Sequence, residues 1–150
     1  MISGIREKAE HAVRAGYRYI QFFEISEDEA RCVDEYLMSL KAVPSPYLVN
    51  GRNMTKKALR GKKIFNELHC GECHSGVYYT DMKKYSIGGN VEFESGWDTP
   101  TLREVWRTAP YLFDGRAATL EDVFVKYKHG IDKKISKKDV DALVEFVNSL

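Results

Sequence analysis

Two thiols and an imidazole stand together near the middle of the chain, in Cys70-Gly71-Glu72-Cys73-His74. Three chemistries use cysteines at this spacing. A structural zinc site needs four ligands, usually from a second such pair. The chain has no second Cys-x-x-Cys and no His-x-x-x-His, and His69 is too near a neighbour of Cys70 to complete a tetrahedron. A thiol–disulfide pair opens a helix in a fold of alternating strands and helices; here the pair follows a helical pattern and no strand ladder is readable. Covalent haem attachment uses the whole motif. The two thiols, one turn apart, add to the two vinyl groups of a haem, and the next histidine is carried under the iron. Spacing and order are both set by that geometry. The reading is therefore one covalent haem c, with Cys70 and Cys73 as thioether anchors and His74 as an iron ligand. The third cysteine, Cys32, lies in an apolar helical stripe and is expected to be a small buried hydrophobe.

The elements that must position these residues read as an all-α fold. Residues 1–43 form a helical extension of two helices. One runs over 4–23; the other opens at Ser26 with Glu29 three residues on, and carries Ala30, Val33, Leu37 and Leu40 at helical spacing. Pro44-Ser45-Pro46 and Asn50-Gly51 mark a linker over 44–54. A haem domain follows over 55–150. Its first helix is capped by Thr55 and runs through Gly61 and Phe65 into the cysteine motif. A poorly periodic stretch over 75–101 reads as loop with short extended pieces. A short helix is expected over 101–107, another from Thr119 to Gly130, and a last one capped by Ser136.

Gly61-Lys-Lys-Ile-Phe65 ahead of the haem motif resembles the first helix of class I cytochromes c, which implies that Gly61 and Phe65 meet the final helix near Leu143, Phe146 and Val147. The run from Asp98 to Leu120, DTPTLREVWRTAPYLFDGRAATL, resembles more narrowly the C-terminal haem domain of the bacterial dihaem cytochrome c peroxidase and MauG-like superfamily. Tyr36–Tyr47, Tyr79-Thr-Asp81 and His129-Gly130 fit the same group, so the similarity covers about residues 16–150. Two departures stand out. Phe113 occupies the position of a family histidine, and there is one Cys-x-x-Cys-His where the dihaem enzymes have two. Residues 1–43 resemble the end of a preceding cytochrome domain, so the chain is expected to be a C-terminal piece of a longer protein.

What faces His74 across the iron decides the chemistry, because axial ligation sets the potential and an open site admits peroxide. The resemblance leaves His129 as the preferred ligand, with Tyr127 or an open position as alternatives. Met82 is too close to His74 along the chain, Met38 and Met54 are expected to pack, and His11 to lie at the surface. Arg103, Arg107 and Arg116 are candidates for the haem propionates, since arginine forks suit carboxylates. Trp97, Trp106, Tyr79 and Tyr111 are expected to wall the haem. Asp81 is expected to hold a loop, and calcium is not expected.

The bulk composition narrows the classes. A net charge of +1 over 150 residues gives no general argument for nucleic acid, and no apolar run is long enough to span a bilayer. The expected function is electron transfer in a periplasmic or otherwise extracytoplasmic compartment, to a redox partner protein or an adjacent domain. The alternative is the C-terminal half of a dihaem peroxidase or MauG-like oxidase. Lys56, Lys57, Lys62, Lys63, Lys126, Lys128, Lys133, Lys134, Lys137 and Lys138 offer a docking surface for an acidic partner.

Overall fold

The computed structural model describes residues 8–86 and 96–150. Among these, five α-helices occur in chain order: α1 (Ala9–Tyr19), α2 (Glu27–Ser39), α3 (Lys56–Glu67), α4 (Leu120–Val125) and α5 (Lys137–Asn148). Four of them start where a hydroxyl can accept an orphan N–H. Ser26 and Thr119 form capping boxes with Glu29 and Asp122, Thr55 accepts from Ala58, and Ser136 from Asp139. Each such cap stabilises its helix by about 1 kcal/mol. Two short strands, β1 (Lys84–Tyr85) and β2 (Trp97–Asp98), pair antiparallel within the stretch read as loop. The start expected for the first helix and the tip of that loop lie outside the described residues.

Two compact units make up the chain, residues 1–41 with 84–98 and residues 42–83 with 99–150. In the first, Arg14 ties α1 to α2. Its guanidinium donates to the Glu27 carboxylate at 3.1 and 3.0 Å and to Asp34 at 2.9 Å, which lifts the Arg14 pKa and lowers that of Glu27. The apolar side expected for α2 is buried only at Ala30; Leu37 and Leu40 are 40% and 57% exposed. Cys32 is exposed rather than buried, because two residues beyond Ala30 the helix has turned more than half a revolution away from its buried line. Met38, expected to pack, is 78% exposed, while Met54 does pack against the core.

The second unit is organised by α3 crossing α5. A methyl group built on Gly61 would lie 1.9 Å from the Ala142 carbonyl oxygen and 2.7 Å from Phe146 Cβ. The two backbones are therefore in contact, and only glycine permits it. One turn on, Phe65 packs edge-on to Phe146 with ring centres 5.2 Å apart. Leu120, Val123, Phe124, Leu143 and Leu150 complete this core. The stretch after α2 is fastened to the same unit: Ser45 Oγ donates to the Asn148 carbonyl at 2.5 Å, and the Val43 N–H donates to Glu104. In place of the helix expected over 101–107 there is a single 3-10 turn, Val105–Arg107, preceded by Glu104 in the left-handed region at φ 59°.

Candidate haem site

The cysteine motif takes its shape from the way α3 ends. After Leu68 the chain enters the left-handed region at His69, φ 59°, and winds into a 3-10 turn over Cys70–Glu72. The His74 N–H then donates to the Cys70 carbonyl at 2.9 Å. Both thiols and the imidazole thus leave adjoining turns. Burial pushes the Cys70 thiol pKa up. His74 is held by its Nδ1, 3.2 Å from the Tyr79 carbonyl. In the tautomer that donates this bond, the Nε2 lone pair is left for a metal. Burial lowers the His74 pKa, opposed by the carbonyls of Tyr79 and Pro100 and by Asp81.

His129 reaches the same place through a break in helical conformation. The fourth helix stops at Val125 rather than continuing to Gly130. Lys128 and Gly130 then take left-handed conformations at φ 50° and 65°, and the His129 N–H donates to the Val123 carbonyl at 3.0 Å. The result sets the His129 ring centre 6.2 Å from that of His74. Burial first, and His74 second, lower the His129 pKa, and burial lowers that of His74, which favours the uncharged, metal-binding form of each ring. Two imidazoles that each placed a ring nitrogen about 2 Å from a shared metal would have ring centres about 6 Å apart.

Tyr127 points its chemistry elsewhere. Its hydroxyl donates to the Arg116 carbonyl at 2.8 Å, and Lys126 and Arg116 lie over its ring at 5.1 and 5.9 Å. The three candidate propionate arginines all have partners within the protein. Arg103 Nε donates to the Val77 carbonyl at 2.8 Å and stacks over Tyr79 at 5.3 Å. Arg107 pairs with Glu104 and lies over Trp106 at 5.8 Å. Arg116 pairs with Asp114 at 2.5 Å and covers Phe113, the residue at the family histidine's position, at 5.1 Å. The Trp106 indole Nε1 is buried without a hydrogen-bond partner among the described residues. A buried donor in that state suits an anionic group.

The aromatic residues divide between the units. Tyr79 packs against Phe65 and Phe146 at 6.1 and 6.2 Å, and Tyr111 donates its hydroxyl to the Val105 carbonyl at 3.1 Å. Burial raises the Tyr111 pKa. Trp97 sits in β2 of the other unit. Asp81 accepts the Lys83 N–H at 3.0 Å, holding a turn of the loop. His11 and Met82 are exposed. Two imidazoles with ring centres 6.2 Å apart and a pair of thiols on the preceding turn together fit a haem c. Sequence reasoning missed the Tyr79 carbonyl as a partner of His74, because a backbone acceptor has no residue code and Tyr79 adopts it from the left-handed region, φ 54°.

Comparison with known proteins gives the same chemistry. The family model for cytochrome c matches residues 58–150. The chain is similar to hydrazine synthase subunit gamma of Kuenenia stuttgartiensis, 26% identical over 165 residues, covering 77% of this chain and 47% of that protein. It is also similar to the cytochrome c peroxidase Ccp of Escherichia coli, 25% identical over 162 residues, covering 87% of this chain and 35% of that protein. Among solved structures, hydrazine synthase of Kuenenia stuttgartiensis shares the fold, with TM-score 0.77 at 20% identity over 93% of this chain and 60% of that one. The chain thus spans about half the length, or less, of these curated relatives.

Proposed function

Because the chain belongs to the cytochrome c family and so carries covalent haem c, we propose that it passes single electrons through one haem anchored by Cys70 and Cys73, with His74 and His129 as the residues that would hold its iron. The observation that carries this reading is the approach of the His74 and His129 imidazoles, whose ring centres lie 6.2 Å apart with their planes at 65°. When bound, the haem supplies an iron that cycles between ferric and ferrous states. The chain's own residues do the rest. The Tyr79 carbonyl orients His74. The turn at Lys128 presents His129. Phe65, Tyr79 and Phe146 keep water from the thioether side. Trp106 offers an N–H to a propionate, with Arg107 over its ring as a nearby cation, and Tyr111 is part of the wall.

No helix of the described residues is long and apolar enough to cross a membrane. The covalent haem and the family resemblance support an extracytoplasmic site of action. The apolar side chains left exposed on α1 and α2, among them Tyr19 at 63% and Met38 at 78%, support reading residues 1–43 as an extension that docks on a further domain of a longer redox protein.

The ten lysines of the expected docking surface are all solvent-exposed. Lys63, Lys133 and Lys134 rim a groove of about 440 Å³ beside Ile64 and Leu68, at the end of α3 that leads into the cysteine turn. Opposite charges across an exposed contact are screened with a length of about 8 Å at physiological salt. The rate of reduction by an acidic redox protein is therefore expected to fall steeply with ionic strength, and to fall further in the double variant Lys63→Glu, Lys134→Glu. Rates insensitive to both changes would contradict this docking reading. A cytochrome that cannot be reduced and reoxidised reversibly by one electron would contradict the electron-transfer function itself.

A second reading is supported by the similarity to proteins named cytochrome c peroxidases. In it, the chain is the C-terminal half of an enzyme whose other haem lies on a further segment. Peroxide turnover by the haem-loaded chain alone would favour that reading; a site closed by two histidines is expected to turn peroxide over slowly or not at all.

A further inference from the structure

The loop that supplies the Tyr79 carbonyl is joined to the 99–103 segment by one backbone bond, from the Thr99 N–H to the Lys83 carbonyl at 2.8 Å, and by side chains nearer Tyr79. Thr101 Oγ1 donates to the Tyr78 carbonyl at 2.5 Å, and Thr80 Oγ1 to the Thr99 carbonyl at 2.6 Å. Arg103 spans the other side: its Nε donates to the Val77 carbonyl at 2.8 Å while its guanidinium stacks on the Tyr79 ring at 5.3 Å. Between these fastenings Tyr79 sits at φ 54°, a conformation that L-residues adopt only when their surroundings impose it. Its carbonyl accepts from His74 Nδ1 at 3.2 Å, beside the Pro100 carbonyl, which acts on the same imidazole.

We infer that Arg103 is a positioning residue for the axial histidine: by clamping the 77–79 turn it holds the Tyr79 carbonyl on His74 Nδ1–H, and so sets the orientation and basicity of the imidazole. A partner on the far nitrogen of a ligating histidine fixes its tautomer and raises its donor strength. A more basic imidazole stabilises the ferric state, so a slackened clamp raises the reduction potential. Loss of the arginine's positive charge acts with the opposite sign, because a nearby cation disfavours ferric iron. The two contributions can be separated by choice of variant. Glutamine places its amide nitrogen where arginine has Nε, so Arg103→Gln keeps a donor for the Val77 carbonyl while losing the charge. Arg103→Leu loses both. The difference between these two variants reads the clamp alone. Thr101→Val gives an independent check, since it removes the bond to the Tyr78 carbonyl with no change of charge.

The inference rests on His74 being the iron's ligand. The test is the reduction potential of the haem-loaded protein and its three variants, together with proton exchange of the His74 Nδ1–H followed by NMR in the diamagnetic ferrous state. The expected result is a higher potential for Arg103→Leu than for Arg103→Gln, and a raised potential for Thr101→Val against the parent. Nδ1–H exchange is expected to quicken several-fold in Arg103→Leu and Thr101→Val and to stay slow in Arg103→Gln. Equal potentials and equal exchange in the glutamine and leucine variants, with histidine ligation intact, overturn this inference and leave the proposed ligation standing. A parent protein whose iron is not bound by His74 overturns both.

Discussion

Replacing His129 with alanine is expected to open one face of the haem. The ferric spectrum of the haem-loaded protein should change from low-spin to high-spin, and the variant should bind small exogenous ligands that the parent excludes. His129→Met is expected to restore the low-spin state at a clearly higher potential, drawing on the roughly 0.8 V that axial ligands span across haem proteins. The geometry argues for this residue because the turn at Lys128 brings the His129 ring within 6.2 Å of His74, while the Tyr127 hydroxyl is committed to the Arg116 carbonyl at 2.8 Å. Tyr127→Phe is accordingly expected to leave spectrum and potential unchanged. If Tyr127→Phe moved the spectrum and His129→Ala did not, the ligand assignment would be reversed.

At Gly61 a single methyl group should be enough to disturb the fold. In an ordinary helix interior, alanine is more stable than glycine by about 1 kcal/mol. Here the added carbon would meet the Ala142 carbonyl oxygen at 1.9 Å and its carbon at 2.5 Å. These are backbone atoms of α5, which cannot rotate aside as a side chain can. Overpacking of a tight core costs about 1–3 kcal/mol and sometimes more, and a backbone collision belongs at the upper end. The clash therefore outweighs the propensity gain, and Gly61→Ala is expected to lose about 2 kcal/mol or more in denaturant unfolding of the haem-loaded protein. Gly16, in α1, is the control. A Cβ there meets nothing within 4 Å, so Gly16→Ala is expected to gain up to about 1 kcal/mol. A Gly61→Ala protein as stable as the parent would show that the two helices do not cross in backbone contact.

Much of this fold was legible in the residues. Ser26, Thr55, Thr119 and Ser136 marked helix starts because a hydroxyl ahead of an apolar period has one strong local use. Gly61 and Phe65 pointed to the crossing with the last helix, where Ala142 and Phe146 do meet them. The thiol spacing named the cofactor, because haem geometry fixes both the spacing and the order. Other features depended on backbone conformations that side-chain types do not encode. The early end of α4 and the left-handed Lys128 separate His129 from Tyr127, two residues apart and indistinguishable as ligands by pattern alone. The exposed Cys32 followed from which side of α2 finds a neighbour, and α2 buries little beyond Ala30. The partners of Arg103, Arg107 and Arg116 are a backbone carbonyl and two nearby carboxylates, and nothing in the charge pattern separates such partners from propionates.

In the proposed function, two histidines hold one iron. The most direct measurement is the visible and electron paramagnetic resonance spectrum of the haem-loaded protein, oxidised and reduced. Six-coordinate low-spin iron with two histidine ligands in both states is the result expected from the close approach of His74 and His129. A high-spin ferric spectrum, or one showing methionine sulfur on the iron, would contradict it.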